Sequence, residues 1–158
     1  MSDPTIDAAR ETFERSVADL IETVRGLPAD ALNWRPARQD TNAIAVLATH
    51  AAASANTWLA VATGAPAPDR DRDAEFRTVA TSDTDLLASV DGYAQRCLAL
   101  LDAAGPFEPD APRTTSRRAT GDDPEVVSAA WALLHALEHL REHVGQASLT
   151  RQLWEQQA

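Results

Sequence analysis

The sequence predicts an all-α fold, a four-helix bundle with two longer connections, built as a single domain over residues 1–158. Three observations predict it. Hydrophobic residues make up 44% of the chain but aromatics only 5%, so the core must be built mainly from Ala, Leu and Val. Ala-rich stretches favour helix because Ala gives up no side-chain entropy on entering one. No run of strand length alternates between apolar and polar residues. Four stretches instead repeat apolar residues every three or four positions, with Gly and Pro between them.

The first stretch covers residues 5–25, with Asp3 as cap, Pro4 in the first turn, and Phe13, Val17, Leu20, Ile21 and Val24 at helical spacing. Gly26 and Pro28 end it, and a loop, LPADALNWRPARQD, follows. Asp40, Thr41 or Asn42 can cap the second helix, residues 42–63, where Ile44, Leu47, Ala51, Ser54 and Trp58 share a face. Gly64, Pro66 and Pro68 stop it, and the polar, charged stretch 65–81 reads as a surface excursion. Ser82 and Asp83 open the third helix, apolar at Leu86, Leu87, Val90, Tyr93, Leu98 and Leu101, which ends at Gly105 and Pro106. The second long connection, residues 106–123, carries Arg113, Arg117 and Arg118 and reads chiefly as a solvated loop. The fourth helix, residues 124–152, is expected to start from Asp122 or Asp123 with Pro124 in its first turn. Four amphipathic helices with two long connections make a bundle the economical solution.

Composition excludes some functions. The formal net charge is −10, from 24 acidic and 14 basic residues, so a phosphate-binding face would have to form against the protein's own field. Nucleic acid and anionic membrane surfaces are therefore not expected partners. The start lacks the charged and apolar regions of a signal peptide, and no apolar run is expected to span a membrane. The single cysteine, Cys97, has no internal disulfide partner, which fits a cytoplasmic location. Cys97 lies in an apolar helix with no His beside it in sequence and reads as a buried structural residue rather than a nucleophile. Trp34, Trp58, Trp131 and Trp154 read as core or interface residues.

The histidines carry the chemistry. His50 lies on the second helix, and His135, His139 and His143 stripe the fourth at steps of four. Such a pair can hold one ion between neighbouring turns, and a third ligand from a facing helix completes a site in a bundle. A lone pair at this spacing also arises by chance on surfaces, so helical phase must choose among them. The apolar stripe of the fourth helix runs through Leu133, Ala136, Leu140, Val144 and Ala147. His143 lies at its edge, His139 further round and His135 furthest. His50 shares its side with Leu47 and Ser54. Phase therefore selects His50, His139 and His143, and leaves His135 exposed or in an outer shell.

The stretches NAIAVLATHAAASANTWLAVATG (42–64) and HALEHLREHVGQASLTRQLW (135–154) resemble the DinB/YfiT-like superfamily of metal-binding four-helix bundles. So does the Trp-x-Pro of LPADALNWRP. The resemblance runs in order along essentially the whole chain. It implies a divalent metal, zinc or nickel, held by His50 and by the His139/His143 pair, which is followed here by Val144, Gly145 and Gln146. It also implies a homodimer, and a small-molecule substrate handled with a low-molecular-weight thiol such as mycothiol or bacillithiol, as in the thiol-dependent transferases and the mycothiol-dependent maleylpyruvate isomerase of that superfamily. Three neutral imidazoles leave an ion its full charge and an open position, where a bound thiol or water loses its proton near neutral pH. Arg113, Arg117 and Arg118, and above all Arg117 and Arg118, are candidates to bind a carboxylate on the thiol. Glu142 is a candidate for proton transfer or outer-shell support.

Two other readings compete. His139 to His143 match the HxxEH pattern of a metallohydrolase, in which the glutamate activates water. That pattern needs a further ligand well downstream, only 15 residues follow His143, and a small bundle offers no extended cleft. A non-enzymatic, dimeric metal-binding stress protein would instead hold its ion with the fourth position closed.

Overall fold

The computed structural model describes residues 3–37, 40–115 and 125–157. Helix α1 is Pro4–Val24, and Asp3 caps it by accepting the Thr5 backbone N–H at 2.8 Å, as the sequence predicts. The other Asp3 oxygen accepts from the Phe107 backbone N–H at 3.0 Å, so one carboxylate caps α1 and ties its start to a segment about a hundred residues later. A five-residue helix, α2 (Ala29–Asn33), then forms inside the expected loop. The Trp-x-Pro that follows it is anchored at Trp34, whose ring meets Trp154 edge-on at 5.8 Å.

Helix α3 is Ile44–Thr63, two residues shorter at its start than expected, and neither Thr41 nor Asn42 caps it; Ala43 is its N-cap, without a side-chain bond. Its burial is also different in kind. The sequence suggests one apolar face, whereas Ile44–Ala48 and His50–Asn56 are buried continuously. The reason is its position: α3 packs on the two long helices α5 (Asp83–Ala103) and α6 (Ala129–Glu155), with α2, the short helix α4 (Arg72–Glu75) and strand β1 (Pro112–Thr114) against its remaining sides. A helix covered all round needs apolar or small residues all round. By length and composition α3 would therefore qualify as a membrane span, contrary to expectation, yet 83% of that window is buried inside the bundle. Gly64 ends it in the left-handed conformation, with φ 75°. The Arg113 guanidinium lies 3.4 Å from where a Cβ would stand and donates to the Ala62 carbonyl at 3.3 Å.

The excursion after α3 contains a short helix, α4 (Arg72–Glu75), capped by Asp71. It is pinned to the bundle by Asn33, whose amide donates to the Ala80 carbonyl and accepts the Ala80 N–H, at 2.8 and 2.9 Å. Helix α5 is Asp83–Ala103, with Ser82 accepting from the Asp85 N–H as expected. The second connection forms a two-stranded antiparallel ribbon of β1 (Pro112–Thr114) and β2 (Val126–Ser128), Arg113 opposite Val127. Helix α6 therefore starts at Ala129, capped by Ser128, and runs to Glu155; the strand replaces the first turns expected there. The expected caps Asp122 and Asp123, and Pro124 of the expected first turn, lie outside the described residues. Helices α1 and α3 each lie between α5 and α6, which closes the bundle around the buried Leu20, Leu59, Leu101 and Leu140.

Candidate metal centre

His50 sits mid-helix on α3 and is 5% exposed, while His139 and His143 stand one turn apart on α6, half-buried. The packing of α3 on α6 brings them together. His139 Nε2 is 3.2 Å from His50 Nε2 and 3.2 Å from His143 Nε2. One ring nitrogen from each residue lies within 4.8 Å of the others. An ion bound about 2.1 Å from two imidazole nitrogens at a near-tetrahedral angle holds them about 3.4 Å apart, which the two 3.2 Å separations approach.

Hydrogen bonds at the far edges of the rings decide which nitrogens carry lone pairs. Glu75 is 5% exposed and accepts from Arg70 Nε at 2.6 Å and Arg70 Nη2 at 2.7 Å. Burial alone would raise its pKa, but the hydrogen bonds from Arg70 and His50 and the charge of Arg70 outweigh that and hold it below the ordinary value. An ionised carboxylate only accepts, so His50 Nδ1, 2.8 Å from Glu75 Oε2, carries the hydrogen. Gln146 plays the same part for His143: its amide nitrogen donates to Glu142 Oε1 at 3.0 Å, which turns Oε1 toward His143 Nδ1 at 2.8 Å. With both rings neutral, their Nε2 atoms are bare, and both face His139 Nε2. Burial, then the neighbouring histidines and Arg70, push His139 down to about pKa 3, and burial also lowers His143, so neither is an imidazolium at neutral pH. One neutral imidazole has one hydrogen to share between two lone pairs. A single cation at that point uses all three, which is the chemistry this donor set fits.

The surroundings sort the remaining residues. Phe76 covers His50, ring centroids 4.7 Å apart. On the other side an aromatic wall runs along the α3–α6 seam. His135 stacks on Trp131 at 4.8 Å and on His139 at 5.4 Å, and meets Trp58 edge-on at 4.6 Å. His135 is therefore part of this wall, and burial lowers its pKa. Trp58 packs against the core as expected and also flanks the centre, beside Trp131, which is 43% exposed. Glu142 is exposed and reaches His143 through Gln146 at the Nδ1 edge, away from the converging Nε2 atoms; that geometry does not suit the water-activating glutamate of an HxxEH enzyme. Cys97 is fully buried, and burial raises its thiol to about pKa 12 against a hydrogen bond with Asn56. Arg113 is engaged at the end of α3 rather than solvated, and Arg117 and Arg118 lie outside the described residues.

Sequence reasoning missed Arg70 and Glu75. They lie in the charged run DRDRDAE that reads as solvent-exposed, and the only cue is an acid and a base five positions apart.

The sequence pattern of the DinB superfamily matches residues 12–147, a span that holds all three histidines together with Arg70, Glu75 and Gln146. The chain belongs to the DinB superfamily. No curated protein matches it. Among solved structures, this DinB chain is similar to one described as a conserved protein from Enterococcus faecalis, with a TM-score of 0.71 over 97% of this chain and 98% of the other. At 17% identity that likeness shows the shared DinB fold.

Proposed function

We propose that this DinB protein is a metal-dependent S-transferase that joins a low-molecular-weight thiol, of the mycothiol or bacillithiol type, to a small electrophile. The observation that carries this reading is the convergence of His50, His139 and His143 at a half-buried seam, with two outer hydrogen bonds already setting the ligand tautomers. A divalent ion held there, zinc or nickel, would supply Lewis acidity that lowers the pKa of a thiol or water to near neutral. The chain's own sulfur is not available for that role, because Cys97 is buried and its thiol is held protonated, so the nucleophile must come from outside. The stacked His135 and Trp131 rings, with Trp58 edge-on to both, offer an aromatic surface beside the centre for the organic part of a substrate.

The test is conjugation of a model electrophile by low-molecular-weight thiols, with and without chelator, on protein of measured metal content. A rate that rises with bound metal and is lost in His139→Ala supports the proposal. Stoichiometric metal without metal-dependent conjugation would favour the non-enzymatic metal-binding protein.

A further inference from the structure

Three features of the strap between α3 and α5 point at one ligand. Glu75 is buried at the end of α4, places Oε2 2.8 Å from His50 Nδ1, and is gripped at both oxygens by Arg70. Phe76 packs on the same imidazole, and the Arg72 guanidinium lies 4.8 Å over the Phe76 ring. The strap is also anchored by the Asn33–Ala80 pair, and Asp71 caps α4 within it, so Glu75 is not its sole attachment. A buried carboxylate is expensive to desolvate, and a strap that needed only to close a bundle would be served by an apolar residue there.

We infer that Glu75 is a positioning residue for the metal centre: it fixes the Nδ1–H tautomer of His50, aims its Nε2 lone pair at the ion, and places one negative charge behind the ligand. Arg70 holds the carboxylate in that orientation. The arrangement is a carboxylate–histidine–metal relay in which the outer group is supplied by the inter-helix strap rather than by the bundle. Among the described residues the three ligands are thus treated unequally. His50 has a buried anionic partner, whereas His143 has a neutral amide at the exposed edge. The inference rests on the metal-binding part of the proposed function.

The experiment titrates the metal-free full chain with zinc in competition with a chelator, for the wild type and Glu75→Gln, alongside circular dichroism of both apoproteins. Glutamine keeps an acceptor for His50 but removes the charge and the fixed grip of Arg70. We expect a loss of about 10- to 100-fold in zinc affinity with unchanged helix content, and an altered cobalt(II) absorption spectrum, which a merely structural role would leave unmoved. Zinc affinity in Glu75→Gln within about threefold of wild type would overturn the positioning role and leave the metal centre standing. A wild type that takes up no zinc would overturn both. Should Glu75→Gln fail to fold, ring nitrogen NMR shifts of His50 in the wild-type apoprotein decide: hydrogen on Nδ1 supports the inference, and hydrogen on Nε2 overturns it.

Discussion

His139 Nε2 stands 3.2 Å from His50 Nε2, although 89 positions of chain separate the two residues. With His143 at the same distance, an uncharged imidazole faces two lone pairs at a half-buried seam. Such a cluster is better satisfied by a cation than by one shared hydrogen, so metal should stabilise the folded state by mass action. At free zinc 100-fold above Kd the gain is about 2.7 kcal/mol. Calorimetry of the apoprotein should show Tm rising with added zinc, and the rise should vanish in His139→Ala. A wild-type Tm indifferent to zinc would remove the metal from this account.

The same cluster makes the apoprotein sensitive to acid. His139 is pushed down to about pKa 3 from an ordinary value of 6.5, and His143 is lowered too, chiefly by burial in both cases. In the unfolded chain these groups take up protons as pH falls through about 6.5, while in the folded chain they resist. Stability is thus full above that range and falls as pH drops from it toward the folded values. The slope is up to about 1.4 kcal/mol per pH unit for each proton taken up on unfolding. Glu75, held below its ordinary value, adds a loss in the same direction at lower pH. Urea unfolding between pH 7 and pH 5 checks this, and His139→Gln should flatten the slope.

Gln146 and Glu142 are neighbours at the exposed edge, but they differ in what they touch. Gln146 bonds His143 Nδ1 directly, whereas Glu142 bonds only Gln146. Gln146→Leu should lower zinc affinity about 10-fold by freeing the tautomer and ring orientation of His143. Glu142→Ala leaves the Gln146 acceptor in place and should change affinity by about threefold or less. Parallel chelator competition on the two variants separates them, and equal losses would mean that Glu142 matters as much as the direct bond of Gln146.

How much of this was legible in the sequence depends on whether the cause was local. The helical period along Leu133, Ala136, Leu140, Val144 and Ala147 is a local signal, and all five are buried. It also orders the histidines, because the angle of His139 and His143 to that stripe follows from helix geometry alone. The caps at Asp3 and Ser82 are local as well, and both form. Glu75 was not legible. Its role depends on a strap folding back over His50, 25 positions away, and nothing in a charged run says which acid turns inward. The ribbon was missed for a related reason: three-residue strands carry too little alternation to read, and their pairing is long-range. The all-round burial of α3 follows from its neighbours rather than from its own periodicity.

Cys97 gives a test that does not involve the metal. It is fully buried, and desolvation raises its thiol to about pKa 12, so the native protein presents almost no thiolate. Native protein should resist a thiol-specific disulfide reagent at pH 8, with labelling limited by opening of the bundle. Urea should expose the thiol along the same transition that circular dichroism follows. Rapid stoichiometric labelling of the folded chain would contradict the packing of α5 against α3.

Arg151 should matter more to stability than other surface arginines. Its Nη1 donates to the carbonyls of Glu22, Thr23 and Arg25 at 2.9, 3.1 and 3.2 Å, where the end of α1 leaves acceptors without helical partners. A cation at a helix C-terminus also meets the favourable end of the helix dipole. Arg15, by contrast, makes an exposed pair with Glu11 one turn away on its own helix. Arg151→Met should destabilise by about 1–3 kcal/mol through the lost charged hydrogen bonds. Arg15→Met should stay within about 0.5 kcal/mol, as exposed pairs do. Chemical denaturation of both variants measures the difference. Zinc affinity should be unchanged in each, because neither side chain touches His50, His139, His143 or the groups that orient them.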